Sequence, residues 1–229
     1  MSENNAPIMP AYVIERVMQK RGRLRIFDHF EPHRTALVII DMQCFYVQDL
    51  QPALRIIPTI NDLAKGVRER GGVVAWVSMT AGQDGTSLWP LYHDYFFKAE
   101  NGARHRDQLS PGSPGHALHP ELDVQPEDIQ ATKTRFSAFM PGVCDLHEQL
   151  QARGISNVAI GGVVTNFCCE TSARDAMMLD YRVAMVEDIN AARYPEDHQN
   201  GLTTVFQSFG DVVSASELLD DLMRPETKS

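Results

Sequence analysis

Asn157-Val-Ala-Ile160-Gly-Gly162-Val-Val164-Thr-Asn-Phe-Cys168-Cys-Glu170 decides the fold. An apolar run, Val158 to Ile160, enters a glycine-bearing turn, and helical spacing begins near Asn166. This is strand, turn, helix, with a thiol in the first turn of the helix. Backbone N–H groups at a helix start favour negative charge. That position predicts a lowered pKa and an available thiolate at Cys168. In an open α/β sheet, ligand crevices form at this same edge.

Working outward, the pattern repeats. Ala36-Leu-Val-Ile-Ile40 is an uninterrupted apolar run ending in Asp41, as expected of a strand buried on both faces. Ile60, Leu63, Ala64 and Val67 predict a helix with Pro58 near its start and Gly71 at its stop. Strands follow at 73–77, at 128–132 running into Lys133, at 157–161, at 182–186 and at 212–213. Val143, Leu146 and Leu150 mark a helix closed by Gly154, and Leu202, Val205, Phe206 and Phe209 mark another. Ser214 and Glu217 have capping-box spacing before a last helix. Residues 80–126 read as loops with one short helix near Trp89–Phe97. Strands alternating with helices predict an α/β fold: three αβα layers on a mostly parallel sheet of about six strands. Residues 1–34 read as an N-terminal extension with helical content around Tyr12–Lys20, residues 35–224 as a single domain, and residues 225–229 as a tail.

Composition narrows the function. The 229 residues carry a net charge of −9 and no basic block, which argues against a nucleic-acid partner. No apolar run approaches the ~18 residues of a membrane span. The four cysteines, Cys44, Cys144, Cys168 and Cys169, form neither a CxxC pair nor a zinc set. A reduced, cytoplasmic protein is the simplest expectation.

Three chemically useful residues share one address. Asp41 ends strand one, Lys133 ends strand three and Cys168 follows strand four, so a parallel sheet puts all three on one edge. A carboxylate able to take the thiol proton, an ammonium able to hold the ion pair and a turn with free N–H donors suffice for acyl transfer through a thioester. The substrate-contact candidates are Gln43, Trp89, Tyr92, Arg135 and Phe136. Cys169 reads as core on another helix face, with Cys44 and Cys144 structural. Arg174 reads as an ion-pair partner of Asp175 or Asp180. His93, His105, His116 and His119 lie in loop-like sequence with no metal-ligand spacing beyond the three-residue step from His116 to His119.

Asp41-Met-Gln43, Gly115-His-Ala-Leu-His-Pro120-Glu-Leu122, Lys133-Thr-Arg-Phe-Ser137-Ala-Phe139 and Gly162-Val-Val-Thr165-Asn-Phe-Cys168 resemble, in this order, the isochorismatase-like cysteine hydrolases. The resemblance runs from about Thr35 to Val213. It implies Asp41 as general base, Lys133 as stabiliser and Cys168 as nucleophile. It also implies a cis Val163–Val164 peptide, an oxyanion hole of the Val164 and Cys168 N–H groups, and a homodimer or homotetramer. The implied reaction is hydrolysis of a C–N bond in a small carbamoyl, ureido or carboxamide substrate. Nicotinamidases of the family bind a metal through a D-x-H motif after strand two. Here Ser78-Met-Thr-Ala-Gly-Gln-Asp84-Gly-Thr-Ser-Leu-Trp89 holds none, so neither metal nor other cofactor is expected. Isochorismatases proper use no catalytic cysteine, which turns the expectation away from vinyl ethers. The rivals are a nicotinamidase-type pyridine carboxamidase and a non-hydrolytic redox or binding protein using Cys168-Cys169. A dinucleotide-binding role is set aside, because no G-x-G-x-x-G follows strand one.

Overall fold

A computed structural model describes residues 9–83 and 86–224. The start of the N-terminal extension and the 225–229 tail lie outside the described residues. Six strands form one sheet: β1 Thr35–Ile40, β2 Val73–Met79, β3 Ile129–Lys133, β4 Asn157–Val163, β5 Arg182–Ala191 and β6 Asp211–Val213. All pair in parallel, in the order β3-β2-β1-β4-β5-β6. The chain builds outward from β1 through β2 to β3, then returns to lay β4 on the other side of β1. At that reversal the loops leaving β1 and β4 diverge, which opens a crevice beyond their C-terminal ends.

β1 is buried along its whole length because both its faces are covered. Ala36, Val38 and Ile40 join the core under helices α1 (Ala11–Arg21), α6 (Leu146–Ala152), α7 (Glu170–Met178) and α8 (Pro195–Ser208). Leu37 and Ile39 face the opposite core, against α3 (Gln51–Glu69) and the Leu218–Leu222 turn that follows α9 (Ala215–Glu217). The period-two alternation of β1 thus feeds two apolar layers, giving the expected three-layer α/β architecture.

The structure redraws several expected boundaries. α3 begins at Gln51, so Pro58 lies inside it; Pro52 occupies the start, where a missing N–H costs nothing. Pro58 sits on the exposed face, where water can take the carbonyl bond its nitrogen cannot. Residues 80–126 hold two helices, α4 (Pro90–Tyr95) and α5 (Ala99–Gln108), and α2 (Cys44–Gln48) follows Asp41. Gly102 lets α5 approach α4: a Cβ there would lie 2.9 Å from the His93 carbonyl.

The segment before β1 is packed. α1 buries Val13 and Val17 in the core below α8, and Gly22 closes it in the left-handed region at φ +72°. The Asp211 carboxylate accepts the backbone N–H groups of Ile26 and Phe27, which ties this segment to the start of β6. The Ser214–Glu217 capping box is present.

Candidate active site

The crevice is assembled from strand ends. Asp41 follows β1 with φ +57°, a left-handed conformation that Asp tolerates better than most residues, and its N–H extends the ladder to Val77 O at 2.8 Å. Lys133 is the last residue of β3 and its side chain is fully buried. Cys168 lies in a wide turn, Thr165–Cys169, between β4 and α7. Gly162 makes that turn possible: at φ +118°, a Cβ would sit 2.0 Å from Ile40 O, inside the backbone of β1. The turn is tied to α8 by Thr165 Oγ1 and His198 Nδ1, 2.9 Å apart.

One ammonium holds the three residues together. Lys133 Nζ donates to Asp41 Oδ2 at 2.7 Å, to the Arg135 carbonyl at 3.2 Å and towards Cys168 Sγ at 3.4 Å. Asp41 Oδ1 is buried with no hydrogen bond among the described residues. The Val163–Val164 peptide is cis, as expected. The Val164 N–H donates to no acceptor among the described residues.

Charge follows burial here. Burial opposes a charge on Lys133, but Asp41 and Cys168 outweigh it and hold the amine protonated. Burial pushes the Asp41 carboxyl up, against the pull of Lys133. Burial and the neighbouring Asp41 also push the Cys168 thiol up, with Lys133 opposing. The helix-start argument for a standing thiolate is therefore corrected. A site with one cation and one carboxylate is already neutral, and a second buried anion would be uncompensated. At rest the arrangement is ammonium, carboxylate and neutral thiol.

Asp41 and Cys168 floor a cavity of about 390 Å³, with the fully buried Lys133 beneath them. Of the proposed substrate contacts, Tyr92 and Phe136 line it, with ring centroids 5.2 Å apart. Trp89 stands behind both, stacked on Tyr92 at 4.5 Å. Arg135 lies over Trp89 at 5.0 Å and donates to Leu88 O. Gln43 is fully buried and does not line the cavity; its amide bridges Met79 N–H, Met79 O and His116 O, locking the loop after β1 to β2. The cavity also takes Tyr46, His105, Phe167, Arg104 and Arg193, none of them singled out from sequence as a contact. Tyr46 and Arg193 follow the ends of β1 and β5, so the strand-edge rule that found Asp41 points to them too.

Other side chains fall elsewhere. Arg174 pairs with Glu170 at 2.6 Å and covers Phe209, rather than meeting Asp175 or Asp180. Cys169 is fully buried in the core beneath α7. His93 and His105 are buried and bonded to each other, Nε2 to Nδ1 at 2.9 Å. His116 Nε2 meets Thr80 Oγ1 at 2.8 Å. No helix among the described residues is long and apolar enough to cross a membrane.

Known proteins share this frame. A cysteine hydrolase from Pseudomonas syringae pv. phaseolicola superposes with a TM-score of 0.76 at 26% identity, over 86% of this chain and 95% of that one. The ureidoacrylate amidohydrolase RutB of Caulobacter segnis is 29% identical over 203 residues, 81% of this chain and 84% of that protein. A protein of Arabidopsis thaliana named probable inactive nicotinamidase At3g16190 is 31% identical over 171 residues, 72% of this chain and 84% of its own length. The sequence profile described as the Isochorismatase domain matches residues 35–217, from the first residue of β1 to the end of α9. The chain therefore belongs to the isochorismatase family of hydrolases.

Proposed function

We propose that this chain is a cysteine-dependent amidohydrolase acting on a small carbamoyl, ureido or carboxamide substrate through a thioester. The observation that carries the reading is the single buried ammonium of Lys133 bonded at once to Asp41 and towards Cys168. As the Cys168 sulfur attacks the carbonyl carbon, its proton passes to Asp41, whose Oδ1 has no partner among the described residues. Negative charge moves to the substrate oxygen, which the Val164 and Cys168 N–H groups receive. Asp41 then hands the proton to the leaving nitrogen, and the C–N bond breaks. A water entering the vacated space gives a proton to Asp41 as its oxygen attacks the thioester. Collapse of the second intermediate expels the sulfur, which regains that proton. Lys133 stays protonated throughout and keeps one negative charge tolerable in the floor of the cavity.

The mouth bears on substrate choice. Arg104 is paired with Asp49 at 2.6 Å, whereas Arg193 has no carboxylate partner among the described residues and only a long contact to Asp49 O at 3.4 Å. An uncompensated cation there favours a substrate with a carboxylate at the end remote from its scissile carbonyl. A redox-sensing role lacks support, because burial pushes both adjacent thiols up, away from the exposed low-pKa thiolate that sensing requires.

The test is ammonia or amine release across ureido, carbamoyl and carboxamide compounds, comparing the wild-type protein with Cys168→Ala. Turnover should vanish in the variant while its circular dichroism is unchanged. Equal turnover by both would overturn the assignment.

A further inference from the structure

A line of hydrogen bonds leaves the cavity and plays no part in the mechanism above. Tyr46 OH, in the cavity wall, lies 3.2 Å from His105 Nε2. His105 Nδ1 lies 2.9 Å from His93 Nε2, and His93 Nδ1 lies 2.5 Å from Ser87 Oγ. Both imidazoles are buried, with exposures of 6% and 2%. Burial lowers the pKa of each, His105 to about 4, and Arg106 lowers both further. The pair is therefore neutral, and one proton lies between the rings.

A neutral chain of this kind has two directions, and its outer end selects between them. Ser87 Oγ already accepts the Trp89 N–H at 3.0 Å. Its own hydrogen has one acceptor among the described residues, His93 Nδ1. If Ser87 donates, His93 carries its proton on Nε2 and donates to His105 Nδ1. His105 then carries its proton on Nε2 and donates to the Tyr46 oxygen. The Tyr46 hydrogen is left over, and the open space before it is the cavity above Asp41 and Cys168. Tyr46, Asp41 and Cys168 line this same cavity.

We infer that the Ser87–His93–His105 chain turns the Tyr46 hydroxyl into an oriented donor for the substrate, which must present a hydrogen-bond acceptor on that side of the cavity. This rests on Cys168 being the reactive thiol of the cavity. Tyr46 touches the substrate. Ser87, His93 and His105 are positioning residues that act through it. A half-buried serine three hydrogen bonds away thus controls which way the tyrosine points.

The probe is iodoacetamide, a small planar carboxamide whose oxygen can take the Tyr46 hydrogen while Cys168 is alkylated. Inactivation is measured over a range of concentrations to separate KI from kinact, and the modified residue is located by peptide mass. Tyr46→Phe removes the donor. Ser87→Ala removes the group that fixes the direction of the chain, so that the two directions mix and Tyr46 donates to His105 in part of the molecules. Tyr46→Phe should raise KI about five- to tenfold, the size of one neutral hydrogen bond, and Ser87→Ala should raise it about twofold as the oriented fraction falls to about half, with kinact within about twofold of wild type in both. Nitrogen-15 spectra of the wild-type protein should show both histidines neutral with the proton on Nε2. A proton on Nδ1 of either ring, or an unchanged KI in Ser87→Ala, would overturn the inference. Failure of wild-type Cys168 to react would sink the proposed mechanism instead, and the nitrogen-15 spectra would still decide the direction of the chain.

Discussion

Lys133→Met is the sharpest test of how the site is held together. The Lys133 side chain is fully buried and the Asp41 side chain is 2% exposed, with 2.7 Å between Nζ and Oδ2. At that separation the gross attraction is roughly 6 kcal/mol at an effective dielectric constant near 20. Desolvation of both ions offsets much of it, so the intact pair adds little net stability. Breaking the pair is different, because the Asp41 charge stays buried with nothing opposite it. The expected loss is about 3–5 kcal/mol at neutral pH. For a chain of this length it corresponds to a fall in Tm of roughly 6–20 °C.

The pH dependence separates this account from a simple packing defect. Burial already raises the Asp41 pKa, and Lys133 is the main influence pulling it down. Removing the ammonium therefore raises it further. A carboxyl whose folded pKa exceeds its unfolded value binds more protons in the folded state. Its stabilising contribution is present below the unfolded pKa and is lost as pH rises through the folded pKa. The deficit of the variant relative to wild type should thus shrink as the pH is lowered from about 8 towards 5. Urea denaturation of both proteins across that range measures it. Adding Asp41→Asn to Lys133→Met should restore part of the loss at pH 8, since no charge is then stranded. A deficit that is equal at both ends of the range, or a double variant no more stable than the single one, would refute the charge argument.

Three further outcomes follow from other parts of the structure. Asp41→Asn keeps the size of the side chain but removes the base, and should lower turnover by about 10²–10⁴-fold when assayed below its Tm, which should itself fall because the Lys133 ammonium is left without a counter-charge. Gly162→Ala places a methyl group 2.0 Å from Ile40 O at φ +118°, so it should be found largely insoluble or with Tm strongly reduced. Arg193→Ala should raise KM for carboxylate-bearing substrates while leaving neutral carboxamides nearly unchanged, which parallel kinetics on a matched acid and amide will show.

How much of this was legible in the sequence depended on where each residue gets its position. β1 and β4 are buried without interruption because both faces are covered, and the apolar runs Ala36–Ile40 and Val158–Ile160 within them let their ends, and with them Asp41 and Cys168, be placed directly. Lys133 was found by the same edge rule. The charge state of Cys168 was misjudged because helix-start electrostatics can be read from spacing, whereas complete burial beside a carboxylate cannot. α5 was invisible for a physical reason: its ten residues bury only Gly102 and His105, so no apolar stripe marks it.

That difference explains the wall of the cavity. Arg193 sits just past the end of β5, and Tyr46 lies on α2, the short helix that follows β1, so both are positioned by the connections at the strand edge. His105 and Arg104 reach the cavity only because α5 docks on α4, and that docking depends on the close approach at Gly102. The floor of the site is therefore built by the sheet common to the family, and one wall by a helix pair whose sequence carries no periodic signal. Chemistry assigned from the strand edges concerns bond breaking. On the proposed reading the groups that choose the substrate lie on the wall, where a glycine contact, a histidine pair and an arginine with no carboxylate partner among the described residues replace hydrophobic pattern as the determinants of position.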